Sequence, residues 1–85
     1  MPNKQRLLHV GFDNVVLAER VVAIISSDAK PVLRLIEQLR QKDKIVDATS
    51  GRKTRSVVVT DSDHLVLSSL QPQTLAERMS FGHDR

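Results

Sequence analysis

Cysteine is missing from all 85 residues, so neither a disulfide nor a thiolate metal site can reinforce the fold. Tryptophan and tyrosine are missing too, and Phe12 and Phe81 are the only aromatic side chains. Proteins that hold single-stranded nucleic acid without sequence preference stack its bases on exposed aromatics, so that class of ligand is disfavoured. The core has to be built from Val, Ile and Leu, drawn from an apolar fraction of 40%. No apolar run approaches the ~20 residues that span a bilayer. The opening Met1–Arg6 does not lead into a signal-peptide apolar region. No membrane association is expected, and the expected location is the cytoplasm. A glycine-rich phosphate loop and a His-Glu-x-x-His zinc motif are also absent. Paired carboxylates need a water-excluding cleft to shift their pKa values, and so short a chain has little room for one. An enzyme is not expected, nor a cofactor.

What is present fits one domain over residues 1–85, with a core that is thin for lack of length. With no disulfide or metal to supplement it, self-association is the remaining common route to stability at this size. The net charge of +3 is modest, but it is unevenly placed. Lys4, Arg6 and Arg20 balance Asp13, Glu19 and Asp28 over residues 1–29. Residues 30–55 hold Lys30, Arg34, Arg40, Lys42, Lys44, Arg52, Lys53 and Arg55 against Glu37, Asp43 and Asp47. Residues 56–85 are net acidic. Positive charge gathered in the middle third is a common footprint of polyanion binding, although a solvated helix face gives the same pattern.

Leu7–Val10 and Val15–Leu17 are apolar stretches parted by Gly11-Phe12-Asp13-Asn14, which reads as a turn or bulge. Val21–Ile25 is continuously apolar and mostly β-branched, the composition of a buried strand. The period then changes. Ser27 or Asp28 suits an N-cap and Pro31 suits the first turn, where its missing N–H costs nothing. Val32, Leu33, Leu35, Ile36 and Leu39 follow at helical spacing, predicting one long amphipathic helix over about 28–42. Ile45–Thr49 reads as a strand. Ser56–Thr60 and His64–Ser68, joined by Asp61-Ser62-Asp63, read as a hairpin. Pro72 opens a short C-terminal helix over about 72–79, and Phe81–Arg85 reads as a frayed tail. The expected class is α+β: a small antiparallel or mixed sheet with helices on one face. The other face and at least one sheet edge would be open, inviting a second subunit.

The chemistry concentrates in Thr49-Ser50-Gly51-Arg52-Lys53-Thr54-Arg55. Gly51 can supply the positive φ of a sharp turn. Three cations then fall within four residues, beside the hydroxyls of Ser50, Thr54 and Ser56. Phosphate oxygens take charge from Arg and Lys and directional bonds from Ser, Thr and backbone N–H groups. Arginine can also present a planar fork to guanine in the major groove. Double-stranded DNA needs no stacking platform, only positioned positive charge. A solvated hairpin loop kept soluble by its charges is the plainer alternative. Asp61, Asp63 and His64 suggest a metal site only weakly, since aspartates form turns by capping backbone N–H groups and a calcium loop wants more carboxylates. His9, at a strand position among apolar residues, reads as a structural or edge-strand histidine rather than a ligand.

Several segments in register then become informative together: Gly11-Phe12-Asp13-Asn14, Arg20, Asp47 through Arg55, Asp61-Ser62-Asp63-His64, and Ser69 through Arg78. From about residue 5 to residue 80 the chain resembles the RemA family of small bacterial regulatory proteins. The resemblance implies a DNA-binding transcription regulator of extracellular-matrix and biofilm genes, nucleoid-associated, acting as homo-oligomeric rings that present basic residues to DNA. The family's DNA-contacting Arg-Arg pair falls on Arg52 and Lys53, its earlier basic residue on Arg20, and its helix proline on Pro31. Two positions depart from the family pattern. Lysine at 53 holds a phosphate as a point charge but lacks the bidentate fork, and Asp13 stands where glycine is expected. The expectation is double-stranded DNA binding, sequence-tolerant or specific, through Arg52, Lys53, Thr54, Arg55 and Arg20, with no catalytic or metal-binding residue. The alternative is a structural or protein-interaction subunit whose basic loop binds an acidic partner.

Overall fold

Residues 6–81 are described by the computed structural model. The first apolar stretches form β1 (Leu7–Gly11) and β2 (Asn14–Leu17), an antiparallel hairpin with Leu7 opposite Leu17 and His9 opposite Val15. Gly11 pairs with Asn14 across a two-residue turn in which Phe12 and Asp13 have φ of 53° and 65°. Positive φ at both central positions is the type I′ pattern, whose twist matches that of the strands it joins. The Asn14 side-chain amide donates to the carbonyls of Gly11 at 3.1 Å and Phe12 at 3.2 Å, holding the turn closed. Leu8 and Val10 point inward and are buried, leaving Leu7, His9, Val15 and Leu17 on an exposed outer face.

A 3-10 turn, Ala18–Arg20, leads into β3 (Val21–Ser26). Then follow α1 (Lys30–Arg40), β4 (Ile45–Asp47), β5 (Ser56–Thr60), β6 (Leu65–Ser68) and α2 (Pro72–Phe81). The second sheet has the order β3-β5-β6-β4, antiparallel except for the parallel β4–β6 pair, so it is mixed. Successive side chains of a strand point to opposite faces, and both faces of β5 and β6 are used. Val57, Leu65 and Leu67 meet Val32 and Ile36 of α1 on one side. Val58 and Val66 meet Leu8 and Val10 of β1, Ala48 and Leu75 of α2 on the other. A strand covered on both faces reads as a continuous apolar run, which is why Val57-Val58-Val59 and Leu65-Val66-Leu67 lack polar alternation.

Several expectations are corrected. The helices lie on opposite faces of the four-stranded sheet, and no face of its central strands is open, because the β1–β2 hairpin and α2 together cover what α1 does not. The helix expected over 28–42 is shorter, Lys30–Arg40, 11 residues. Its N-cap is Ala29, with no side-chain cap bond. Ser27 is unavailable because its hydroxyl donates to the Thr54 carbonyl at 2.8 Å, tying the chain ahead of the helix to the basic loop. Pro31 does occupy the first turn. Of the apolar helix residues, Val32 and Ile36 are buried, but Leu33 and Leu35 remain exposed at 52% and 36%.

Val21–Ile25 is a strand at the sheet edge rather than a buried one; its residues are half-buried and Val22 is 65% exposed. The strand expected over Ile45–Thr49 ends at Asp47, because Thr49 turns back to bond the Asp47 carboxylate. The hairpin at Asp61-Ser62-Asp63 is present, with Asp63 at φ 65°. The last helix opens at Pro72 as the sequence predicts and runs on through Phe81. The remainder of the expected tail, 82–85, and the opening residues 1–5 lie outside the described residues. No helix of the described residues is long and apolar enough to cross a membrane.

Candidate nucleic-acid interface

The basic segment joins β4 to β5, and its backbone is tied down on both sides. Ala48 N–H donates to the Leu67 carbonyl at 2.9 Å, extending the parallel ladder by one residue. Thr49 is 2% exposed and delivers both its hydroxyl (2.6 Å) and its N–H (2.9 Å) to Asp47 Oδ1. The Thr49 hydroxyl, then its N–H and the charge of Arg40, hold the Asp47 carboxyl below the usual carboxylate range. The chain next reverses at Ser50 and Gly51, with φ of 54° and 82°, closed by Arg52 N–H on the Thr49 carbonyl at 3.0 Å. Positive φ at both central positions again marks a type I′ turn. A Cβ on Gly51 would meet nothing within 4 Å, so backbone conformation, not space, reserves that position.

Past the turn the loop lies between two neighbours. Ser27 N–H donates to the Arg55 carbonyl at 3.2 Å, and Arg55 N–H donates to the Ser68 carbonyl at 2.9 Å. The Ser56 hydroxyl bonds the Leu70 carbonyl, so the entry to β5 is fixed as well. With so much of its backbone engaged inward, the loop turns the side chains of Arg52, Lys53 and Arg55 into solvent, while Thr54 is half-buried. Its orientation is set by the sheet rather than by the charges themselves.

Two open depressions flank Lys53. The first, about 400 Å³, is lined by Phe12, Arg52, Lys53, Arg55 and Ser69. Every charged group on it is positive. The second, about 390 Å³, has Lys53 and Arg40 facing Asp28 and Glu37, with Leu33 on its wall. Mixed charge there leaves the first as the surface suited to a polyanion. The β1–β2 turn forms one side of the first depression, and the Arg52 guanidinium carbon lies 5.7 Å from the centroid of the Phe12 ring. Phe12 and Asp13 were legible as a turn, but nothing local in the sequence connects that turn to residue 52.

Four of the five residues singled out from sequence, Arg52, Lys53, Thr54 and Arg55, are therefore brought together. Arg20 is not among them. Val21 pairs with Thr60 and Ser26 with Ser56, so Arg20 stands at the far end of β3 from the loop, roughly 17 Å along the strand. There its Nε donates to both Asp61 carboxylate oxygens, at 2.8 and 3.0 Å. The neighbouring acidic turn is otherwise self-contained, with Ser62 Oγ 2.8 Å from His64 Nδ1 and 3.0 Å from Thr60 Oγ1.

A family model described as RemA-like, extracellular matrix regulatory protein A-like, matches residues 7–79. A protein of Oleidesulfovibrio alaskensis is 55% identical over 75 residues, spanning 88% of this chain and 89% of its own. One from Geobacillus thermodenitrificans is 48% identical over 79 residues, spanning 93% and 90%. One from Clostridium beijerinckii is 47% identical over 79 residues, spanning 93% and 88%. All three carry the name "Putative regulatory protein".

Proposed function

Because the chain belongs to the RemA-like family, we propose that its regulatory role is exercised by binding double-stranded DNA as a homo-oligomer, as a bacterial transcription regulator. The observation that carries this reading is the presentation of Arg52, Lys53 and Arg55 on a loop whose backbone is bonded to Ser27 on one side and Ser68 on the other. Cations held on a rigid support lose little side-chain and loop freedom on binding, so more of their attraction to phosphate is realised. Ser69 adds a hydroxyl at the same surface, while half-buried Thr54 lines the mixed-charge depression on the other side of Lys53. One aromatic ring beside three cations suits a duplex backbone better than a run of unstacked bases. Arg20, already paired with Asp61, acts in this reading as a separate and weaker contact.

Self-association is supported by apolar surface left over after folding. Leu7, Val15 and Leu17 share the outer face of the hairpin, and the two sheet edges expose Val22 and Val46. Repeating the loop on several subunits turns each further contact on one duplex into an intramolecular event, so modest loops add up to firm binding.

Fluorescence anisotropy with a labelled random duplex at low and moderate salt tests the reading. The parent binds, and Arg52→Ala weakens binding by about 1–3 kcal/mol per engaged loop, roughly fivefold to more than a hundredfold, at unchanged melting temperature. A parent that ignores duplex DNA but captures an acidic polypeptide would overturn it.

A further inference from the structure

Phe12 sits where a phenylalanine is poorly served by its surroundings. It is 48% exposed at the apex of a two-residue turn, with φ of 53°. Such a turn is made more cheaply by Asn or Gly, which tolerate positive φ. Neither burial nor turn chemistry explains a phenyl ring there. The ring faces Arg52, whose guanidinium carbon stands 5.7 Å from the ring centroid, within the range of a cation–π interaction. The two residues come from separate elements, and each is held by its own set of backbone bonds: the Gly11–Asn14 pairing for Phe12, the Thr49–Arg52 turn for Arg52.

We infer that Phe12 is a positioning residue for Arg52, fixing the direction in which its guanidinium fork meets DNA and thereby the selectivity of binding. The inference rests on the DNA-binding reading above and assigns a role within that surface. An unrestrained arginine side chain samples many rotamers and loses that freedom when it engages a base or phosphate. A ring within cation–π range of the guanidinium favours the rotamers that keep it there and so removes part of this freedom in advance. The guanidinium N–H groups are the ones that form bidentate pairs with guanine or phosphate, so the rotamer that the ring favours sets where that fork points. Lys53 has no planar fork to orient, so directional recognition falls to the arginines of the loop, of which Arg52 is the one beside the ring. The ring carries no charge. Its loss therefore changes how well a cation is aimed without changing how many cations are present.

That distinction is measurable. Phe12→Leu should weaken binding to the best available duplex about two- to fivefold per engaged subunit, the equivalent of the ~0.5–1 kcal/mol of an exposed cation–π contact. The slope of log K against log salt should stay at the parental value, because no phosphate contact is lost. Phe12→Tyr, which keeps the ring, should restore parental affinity. Adding Phe12→Leu to Arg52→Ala should cause no further loss, since the two act as one unit. Parental binding by Phe12→Leu alongside a large loss in Arg52→Ala would overturn the positioning role and leave the DNA-binding reading standing. Additive losses in the double variant would also overturn it, showing that the ring touches DNA directly. A full-affinity Arg52→Ala would instead remove the DNA-binding reading of this loop. Melting temperatures measured on the same samples separate any of these outcomes from a failure to fold.

Discussion

Arg20 and Asp61 meet at 2.8 Å across the end of the β3–β5 ladder, which makes Arg20 a cation already provided with an anion. Both partners are about half-exposed, with side-chain exposures of 55% and 49%, so the pair contributes little to stability. Its importance is electrostatic. Arg52, Lys53 and Arg55, which make no ion pair among the described residues, lie at the opposite end of that ladder.

The salt dependence of DNA binding should separate the two ends. Each neutralised phosphate contributes roughly 0.9 to the slope of log K against log salt. Lys53→Ala should reduce the slope by about that amount per engaged subunit, equally on different duplex sequences, because lysine acts as a point charge. Arg20→Ala should reduce it less. Titrations at several salt concentrations with two unrelated duplexes check both, and an Arg20 effect as large as that of Lys53 would place the contact surface across both ends.

Asp13 shares the β1–β2 turn with Phe12, beside the all-basic depression. A carboxylate there repels an approaching phosphate backbone. Asp13→Asn removes the charge while keeping a residue type that tolerates the φ of 65°. Duplex affinity should rise at low salt by an amount typical of exposed charge pairs, roughly 0.2–1 kcal/mol. The gain should fade as salt screens the site. Binding unchanged at every salt concentration would mean that DNA passes well clear of this turn.

Asp47 anchors the entry to the basic loop and should leave a signature in acid. The Thr49 hydroxyl and N–H hold its folded-state pKa low, so the unfolded chain takes up the proton first as pH falls. The stabilisation is fully present above the unfolded-state value of about 3.9 and is lost as pH drops through the lower folded-state value. Asp47→Asn should therefore melt below the parent at neutral pH, with the gap closing in this acid range. A gap that stays constant down to the most acid measurable point would show that the carboxylate charge is irrelevant to the loop.

The outer face of the β1–β2 hairpin is the expected place for a second subunit. Light scattering after size exclusion, without DNA, should give a mass well above the 9.5 kDa of one chain. Val15→Lys, which puts a charge among Leu7, Val15 and Leu17, should lower that mass without unfolding the protein, since Val15 is 45% exposed. A parent running at the mass of one chain would remove the case for avidity.

How far the sequence spoke for the molecule depended on range. The β5–β6 hairpin was legible because the Val-rich run before Asp61-Ser62-Asp63 and the alternation around Leu65 and Leu67 after it state strand, turn and strand over a short span. Pro31 and Pro72 marked helix starts for the same local reason. Composition could not say which strands lie at the edge. Val21–Ile25 looks like a central strand, yet it borders the sheet, because β-branched residues suit both places and neighbours are chosen by the rest of the chain. Leu33 and Leu35 joined the apolar pattern of α1 although the sheet beneath has room for Val32 and Ile36. Within the site, the cations of one loop were read together because they are adjacent. The separation of Arg20 depends on the Val21–Thr60 register, and the approach of Phe12 to Arg52 on how the hairpin sits over the sheet. Neither leaves a local trace.

The two layers of the core differ in when they can be completed. The layer beneath α1 draws on residues from β3 through β6, all within the middle of the chain. The other joins the first strand to the last helix: Leu8 and Val10 pack with Leu75, the Ser68 hydroxyl bonds the Val10 carbonyl, and Arg78 bonds the His9 carbonyl. A chain leaving the ribosome presents β1 well before α2, yet β1 has no finished seat until α2 has emerged. Contacts this distant in sequence are slow to form, and surfaces awaiting them are prone to aggregate. Between its own emergence and that of α2, the β1–β2 hairpin has an apolar side without its full cover.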